Sequence, residues 1–149
     1  MPKARLQAAT VGGSADDTEL AFYEALQAGD LDRLMACWAD EDEIVCVHPG
    51  GRRLIGAAAI RAGFESLLAN GGLPLRPERV HRVRALASAV HSVVERIEVM
   101  TPDGPAQAHV LACNVYHRYA QGWRMVAHHA SPGTADEPLE EGVISKVLH

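Results

Sequence analysis

Apolar residues recur at helical spacing in three stretches of the first half of the chain. The first predicted helix begins after Ser14, a candidate N-cap, and ends at Gly29, which suits the left-handed position that closes many helices. Asp30 then caps a short second helix with apolar residues at i, i+3, i+4 and i+7, namely Leu31, Leu34, Met35 and Trp38. A third helix follows Gly56, and its apolar stripe consists of Ile60, Phe64, Leu67 and Leu68.

In the second half of the chain the apolar period changes to two, which is typical of strands. Four long strands are predicted over Val80–Leu86, Val90–Met100, Ala106–Tyr119 and Trp123–Ser131. The turn sequences "TPDGP" and "AQG" lie between the last three, so these neighbours should pair antiparallel. A shorter hairpin precedes the third helix, in which "VCV" at 45–47 leads through "HPGG" to a return strand at Arg52–Ile55.

The order of these elements predicts an α+β fold in which three N-terminal helices pack in the concave face of a strongly curved antiparallel β-sheet. Such a cone encloses a hollow, and a hollow of this kind is a common place for a ligand pocket. With 149 residues, the chain has the length of one domain. We expect a flexible leader at 1–13, the domain at 14–132 and a C-terminal tail at 133–149.

Charge and composition argue against several functions. The formal net charge of −5 disfavours nucleic-acid binding, which needs clustered lysine and arginine. The one basic stretch is interpreted as a solvated strand edge or face, and its members are Arg76, Arg79, Arg82 and Arg84. No apolar run reaches the roughly 20 residues of a membrane span, and the N-terminus lacks the apolar region of a secretory signal. The three cysteines share no CxxC spacing, so we expect reduced thiols in a cytoplasmic protein.

The stretch "VCVHPGG" places a titratable ring where a buried strand leaves the core. His48 follows Val47, and Pro49 restricts its backbone. With an ordinary pKa of about 6.5, an imidazole here can accept a proton at neutral pH, so His48 is a candidate general base. The alternative is a histidine that hydrogen-bonds the turn and shapes the rim of a pocket.

Two polar residues interrupt apolar strands. In "HSVVERIEV", alternation places Glu95 on the same face as His91, Val93 and Ile97, where a carboxylate must be paired within a cavity or exposed at an edge. Glu95 is therefore a candidate acid, base or histidine partner. Asn114 interrupts "VLACNVY", and a buried amide needs several hydrogen bonds, so it either orients another polar group or binds a ligand carbonyl.

His128 and His129 are adjacent on the last strand and point to opposite faces. His129 shares the parity of Trp123 and Met125, which favours the inner face and makes it a third candidate catalytic residue. The reverse assignment stays open. Trp38 and Trp123 belong to the core or form walls for an aromatic or polyketide-like ligand.

The sequence contains no motif for a metal ion, a nucleotide or a redox cofactor. Its eight histidines show neither HExxH nor a zinc-like Cys/His spacing. It also lacks a glycine-rich phosphate loop, a nucleophile elbow and a dinucleotide fingerprint. We therefore expect no metal and no cofactor. The alternative is a two-histidine, one-carboxylate metal site, which would form if the fold brought His48, His129 and Glu95 together inside the cone.

Three segments of the front half, "YEALQAGDLDRLMACWADED", "HPGG" and "GAAAIRAGFESLL", resemble the SnoaL-like and ketosteroid-isomerase-like family of the nuclear-transport-factor-two-like superfamily. The segment "NVYHRYAQGWRMVAHHASP" resembles the last two strands of that group, including those of the calcium/calmodulin-dependent kinase association domain. The resemblance covers about residues 18–132 and implies a cystatin-like cone. It implies less about function, because such folds house isomerases, dehydratases, cyclases and members that only bind or assemble.

The resemblance also implies roles for individual residues. His48, which precedes a proline, occupies the position of the isomerases' general base, an Asp followed by Pro. The isomerases' tyrosine on the first helix, an oxyanion donor, falls on or beside Phe22, so its neighbour Tyr23 becomes a candidate ligand-binding residue. Their second donor, a carboxylic acid on the penultimate strand, falls near Asn114 or Val115. Neither acidic residue of the isomerases is present at these positions.

Two functions from different classes follow. The first is a small-molecule enzyme that isomerises, dehydrates or cyclises a carbonyl-containing, polyketide-like or steroid-like compound without a cofactor. In it, His48 abstracts a proton, while Glu95, Asn114 and His129 position the substrate or stabilise charge. The second is a non-catalytic ligand-binding or dimerisation module. Both predict a homodimer through the outer sheet face, where apolar residues such as Val90 would otherwise be exposed to water.

The resemblance to the kinase association domain has a further implication. Two pocket-facing arginines of that domain align with Glu95 and Asn114, which implies that Glu95 and Asn114 point inward.

Overall fold

The computed structural model of the protein describes residues 12–133. In this part of the chain the helices are α1 (Ala15–Ala28), α2 (Leu31–Met35) and α3 (Ala57–Leu67). The strands are β1 (Val45–Val47), β2 (Arg53–Ile55), β3 (Leu75–Arg84), β4 (Ser88–Thr101), β5 (Gly104–Tyr119) and β6 (Gly122–Pro132). Every helix and strand predicted from the sequence is present, although β3 begins at Leu75 rather than at Val80.

Both ends of α1 form as the sequence predicts. Ser14 Oγ accepts a hydrogen bond from the backbone N–H of Asp17 at 3.0 Å, and Gly29 closes the helix at φ 72°. A Cβ at Gly29 would lie 2.8 Å from the backbone nitrogen of Gly72, so the backbone angle and the close loop approach both favour glycine. Asp30 then caps α2, since its side chain accepts a hydrogen bond from the backbone N–H of Arg33. One helix therefore leads directly into the next.

Within the described residues, the six strands form one sheet in the order β2-β1-β6-β5-β4-β3. The long strands pair antiparallel through their hairpins, as predicted. However, β1 runs parallel to β6, with Val45 beside Ala127, so the sheet is mixed rather than purely antiparallel. Because this pairing joins segments that are distant in sequence, no local turn signal encodes it.

The strand β3 lies at the edge of the sheet, and its arginines are exposed, as the basic stretch predicted. Arg82 Nε lies 2.7 Å from Asp16 Oδ1, and Arg84 Nη2 lies 3.4 Å from Asp16 Oδ2. These two ion pairs tie the edge to the start of α1. Charged side chains along an exposed edge also hinder pairing with another sheet.

The pairing of β5 with β6 contains a β-bulge. Tyr116 pairs with Met125, but the preceding residue, Val115, pairs with Ala127. Val126 is therefore an extra residue in β6. Side chains beyond it point to the face opposite to the one that strict alternation assigns.

Because of this bulge, the two histidines on β6 have the orientation opposite to the predicted one. His128 is buried, at 4% exposure, and faces the interior with Ala130, whereas His129 is exposed. The sequence placed His129 inside because it shared the parity of Met125, and that placement is wrong. The reverse assignment, which the sequence left open, is the observed one. Alternation alone contains no signal for a single inserted residue.

The fold is α+β, as predicted, with the helices packed against a curved sheet. The helix α1 contacts β6 and β3, and aromatic rings fill the space between helices and sheet. Phe22 lies edge-on to Tyr23 and to Phe64, with ring centroids 5.1 and 5.9 Å apart. Trp38 packs on Phe64 at 6.4 Å. All four rings are buried, so the core lies where the predicted cone has its interior.

The predicted leader and tail fall mostly outside the described residues, which leave out 1–11 and 134–149. Gly12, within the predicted leader, is hydrogen-bonded to the domain. Its N–H donates to Thr18 Oγ1 at 3.1 Å, and its carbonyl accepts from the N–H of Trp123 at 2.8 Å. None of the described helices combines the length and the apolarity that crossing a lipid bilayer requires.

Candidate active site

His48 lies just after β1, half-buried against α3. Its ring is edge-on to Phe64, with centroids 4.7 Å apart, and its Nε2 is 3.8 Å from Cys46 Sγ. A Cβ at Gly63 would come within 3.4 Å of the same nitrogen, so this glycine lets α3 approach the imidazole closely. The ring of His128 follows at 6.4 Å. His48 is thus the partly exposed end of a line of polar groups.

Behind His48, a chain of hydrogen bonds crosses the interior of the cone. His128 Nδ1 is 2.5 Å from Asn114 Oδ1, Asn114 Nδ2 donates to Tyr23 Oη at 3.0 Å, and Tyr23 Oη donates to Glu95 Oε2 at 2.6 Å. Since the Asn114 oxygen can only accept, the tautomer assigned to His128 carries its proton on Nδ1. The hydrogen bonds of this chain thus run in one direction, from His128 through Asn114 and Tyr23 to Glu95, which accepts the last of them.

A second carboxylate, that of Glu19 on α1, joins the same group. Its Oε2 accepts hydrogen bonds from Asn114 Nδ2 at 3.1 Å and from Tyr116 Oη at 2.8 Å. His91 Nδ1 lies 3.0 Å from this oxygen, but neither ring nitrogen of His91 is aligned for a hydrogen bond with a described residue. The interior polar cluster is defined as Glu19, Tyr23, His91, Glu95, Asn114, Tyr116 and His128, all of which are buried.

The cluster shifts the pKa of Glu95 strongly. Burial raises this pKa to about 7, the hydrogen bond from Tyr23 opposes the rise, and the charge of Glu19 adds to it. Burial likewise raises the pKa of Tyr23 well above its ordinary value, so the phenol keeps its proton. Glu95 is therefore a buried carboxyl group that gains and loses a proton near neutral pH.

The histidines at the other end of the chain shift in the opposite direction. Burial lowers the pKa of His128 to about 3, and the charges of His48 and His129 act in the same direction. Burial also lowers the pKa of His48 below its ordinary value of 6.5. Both imidazoles are thus neutral at pH 7, and His48 keeps the lone pair that a general base needs. Acid and base pKa values pushed apart in one site are typical of catalytic pairs.

Four of the seven residues selected from the sequence come together in or beside the cluster, namely Tyr23, His48, Glu95 and Asn114. His129 is not among them, because it lies on the outer face. Trp38 is buried and is separated from His48 by Phe64. Trp123 is half-buried beside the start of α1, away from the cluster.

Sequence reasoning did not select Glu19, His91, Tyr116 or His128, although it placed His91 on the same strand face as Glu95. Glu19 lies one helical turn before Tyr23, and Tyr116 has the strand parity of Asn114, so both positions carried a periodicity signal. His128 carried no such signal, because the bulge in β6 reverses its apparent face.

Three cavities in the described part of the chain lie outside the cluster. One, of about 480 Å³, runs along the start of β3 between Arg76 and Arg96. A second, of about 180 Å³, lies beside Trp123, and a third, of about 470 Å³, lies between α2 and α3 against Trp38. None of the three is lined by His48 or by a member of the cluster.

Cys46, the neighbour of His48, is a buried free thiol. Burial raises the pKa of Cys46 to about 12, and the charge of Glu95 acts in the same direction, so the thiol stays protonated. It is therefore not an activated nucleophile. Within residues 12–133, no group of three or more His, Cys, Asp or Glu side chains is placed to hold a metal ion.

Known proteins with similar sequences and structures provide a further comparison. The family model of the SnoaL-like domain matches residues 17–135. No curated protein matches the chain. Among solved structures, a provisionally assigned calcium/calmodulin-dependent protein kinase type II association domain from Thiobacillus denitrificans ATCC 25259 is 40% identical, with a TM-score of 0.75. The match covers 83% of this chain and 98% of that chain.

Two further solved structures are similar. A provisionally assigned dehydratase of the NTF2-like family from Streptomyces avermitilis is 28% identical, with a TM-score of 0.69, over 79% of this chain and 93% of that chain. A ketosteroid isomerase-like protein from Erwinia carotovora atroseptica SCRI1043 is 16% identical, with a TM-score of 0.68, over 80% of this chain and 93% of that chain. The second of these similarities shows the fold alone.

Proposed function

This chain belongs to the SnoaL-like domain family, as its sequence resemblance predicted, and from that premise we propose that it carries out cofactor-free acid–base chemistry on a small carbonyl compound. The opposed pKa shifts of Glu95 and His48 support this proposal. A carboxyl group that titrates near neutrality and an imidazole that stays neutral can work as acid and base at the same pH. Perturbed pKa values of this kind concentrate at functional sites.

In this proposal His48 is the general base. Its free imidazole nitrogen takes a proton from the carbon next to the carbonyl group, the C–H electron pair forms the enolate double bond, and negative charge moves to the oxygen. When Glu95 is protonated, its carboxyl group carries no charge that the hydrogen bond from Tyr23 Oη has to stabilise. The phenol is then available to donate to the enolate oxygen, which favours the enolate over the ketone.

Access to the site depends on two aromatic rings. Phe64 contacts His48 at 4.7 Å and His128 at 6.4 Å, and Phe22 contacts His128 at 5.5 Å between ring centroids. Rotation of these rings opens the way from His48 to Asn114 and Tyr23. The substrate therefore has to be small and largely apolar, so that it can replace the contacts that the rings lose.

A second candidate function is a non-catalytic assembly or ligand-binding module. Two observations favour it. The three cavities do not reach the cluster, and Tyr23 is hydrogen-bonded to both Glu95 and Asn114. A buried network whose members satisfy each other is what a structural polar core requires. The Thiobacillus denitrificans protein, 40% identical, is provisionally assigned as an association domain.

Hydrogen–deuterium exchange at carbon distinguishes the two candidates. The protein is incubated in D₂O with cyclohexanone, 1-tetralone or ethyl acetoacetate, and loss of the α-proton signals is followed by ¹H NMR. Acid–base function predicts exchange faster than in buffer, slowed by about 10²–10⁴-fold in His48→Gln and unchanged in His117→Gln, an exposed histidine on β5. Exchange at the buffer rate with every compound rejects this function and supports the assembly module.

We also infer that a second copy of the chain covers the outer face of the sheet. Leu111 and Cys113 are exposed on this face of β5, and Val115 is half-buried there beside its partner Val90 on β4. Apolar side chains along the middle of a sheet gain free energy when another surface removes them from water. A two-fold dimer is the commonest way to provide that surface.

We further propose a cytoplasmic location. All three cysteines are free, and Cys37 and Cys46 are buried thiols. Proteins of oxidising compartments tend to pair their cysteines, so free thiols favour a reducing compartment. Cell fractionation followed by immunoblotting tests the location, and recovery of the protein in a secreted fraction would contradict it.

A further inference from the structure

The cavity at the start of β3 has the size of a small-molecule site, about 480 Å³, and none of its lining residues belongs to the interior polar cluster. One part of its wall is apolar and consists of Leu73, Pro74 and Leu75. Another part is charged and consists of Arg76, Arg96 and Glu98. A wall of this composition suits a molecule that has an apolar body and one charged group.

The two arginines of this wall are direct neighbours in the sheet. Arg76 on β3 and Arg96 on β4 are Cα partners in the antiparallel ladder, a position in which Cβ atoms lie about 5 Å apart and like charges repel each other. Arg96 Nε lies 3.4 Å from Glu78 Oε2, whereas Arg76 is exposed and forms no ion pair within the described part of the chain. An anion between the two guanidinium groups would offset their repulsion.

The charges of the wall favour one class of anion. Arg76 and Arg96 are positive and Glu98 is negative, so the wall has an excess of one positive charge. A singly charged carboxylate balances this excess, and its two oxygens match the fork of a guanidinium group. A doubly charged phosphate group would instead be repelled by Glu98. We propose that this cavity binds a small monocarboxylate, with the carboxylate group between Arg76 and Arg96 and the apolar body against Leu73.

Titration with benzoate, followed by ¹H–¹⁵N NMR, tests the proposal. Gly72 and Leu75 line the cavity, so their backbone amide signals report binding. Benzoate should move both signals in a saturable way, and added salt should weaken its binding. Benzamide has the same shape without the charge and should bind about 10-fold more weakly. Phenyl phosphate has the same ring and carries close to two charges at neutral pH, and it should also bind more weakly than benzoate.

Arginine substitutions at the two edges of the sheet provide the matched control. Arg76→Gln and Arg96→Gln should each weaken benzoate binding by about 10-fold. Arg53 is an exposed arginine on β2, at the edge of the sheet opposite to β3, so Arg53→Gln should bind as the wild type does.

Four results would each overturn the proposal. They are equal affinities for benzoate and benzamide, tighter binding of phenyl phosphate than of benzoate, equal affinities of Arg76→Gln and Arg53→Gln, and amide signals that millimolar benzoate does not move. His48 does not line this cavity. Because the readout is binding at a separate place, it is independent of the deuterium-exchange test of His48.

Discussion

Tyr23 Oη donates a 2.6 Å hydrogen bond to Glu95 Oε2 in the interior of the cone, where the two residues are 1% and 4% exposed. The bond joins the first helix to β4. A carboxylate at this depth is costly unless it is hydrogen-bonded, so the tyrosine makes an acidic residue tolerable inside the core. It also limits how far burial raises the pKa of Glu95.

Tyr23→Phe removes this donor and keeps the aromatic ring. Because the bond favours the ionised carboxylate, the pKa of Glu95 should rise above its value of about 7. The free energy of unfolding at pH 8, where the carboxylate is charged, should fall by about 1–3 kcal/mol. A ¹³C NMR titration of Glu95 and urea denaturation measure the two effects.

Tyr119→Phe is the matched control, because the Tyr119 hydroxyl bonds to Glu41 near the surface, away from the cluster. This variant should leave the pKa of Glu95 unchanged and alter stability by no more than about 0.5 kcal/mol. A Glu95 pKa that falls in Tyr23→Phe would mean that the bond does not favour the charged form.

The stability of the protein in acid should depend on His128. Its pKa is about 3 in the folded state against 6.5 ordinarily, so the unfolded chain binds the extra proton between these values. Stability from this residue is therefore complete above pH 6.5 and is lost as the pH falls toward 3, by up to about 1.4 kcal/mol per pH unit. The raised pKa of Glu95 acts in the opposite sense, favouring the folded state as the pH falls from 7 toward 4.5.

Comparison of two neighbouring variants isolates the histidine contribution. His128→Gln should flatten the acid side of the stability profile, measured by urea denaturation from pH 4 to pH 7. His129→Gln, which changes the exposed neighbour on the other face, should keep the wild-type slope. Identical slopes in the two variants would contradict the burial of a neutral imidazole at position 128.

The proposed dimer should depend on the exposed centre of β5. Leu111→Asp places a charge on the outer face and should shift the protein from dimer to monomer in sedimentation velocity at low micromolar concentration. Leu86→Asp is the control, because Leu86 is 85% exposed in the turn between β3 and β4. The Leu86→Asp protein should remain dimeric. A monomeric wild-type protein, or a dimeric Leu111→Asp, would refute this interface.

Much of the fold could be predicted because its signals are local. Ser14 and Gly29 bound α1 through capping geometry, and the hairpin turns set the antiparallel pairs of the long strands. The parallel pairing of Val45 with Ala127 depends on tertiary packing, and sequence periodicity does not encode it.

The candidate site could be predicted only in part for a related reason. Glu95 and Asn114 stand out as polar residues within apolar strands, and both are buried. Tyr23 came from the family resemblance. His128 could not be chosen over His129, since one bulge residue, Val126, decides which ring turns inward.

Site-specific NMR titration of Glu95 and His48 in one sample tests the acid–base proposal most directly, with Glu95→Gln and His48→Gln used to assign the signals. Acid–base function at this site predicts a Glu95 carboxyl group that titrates at about 7 and a His48 imidazole that titrates below 6.5. Between those two values a neutral acid and a neutral base are present together. A Glu95 pKa near 4.5 together with a His48 pKa of 6.5 or above would contradict the proposal, because Glu95 would then be ionised at every pH at which His48 is mainly a free base.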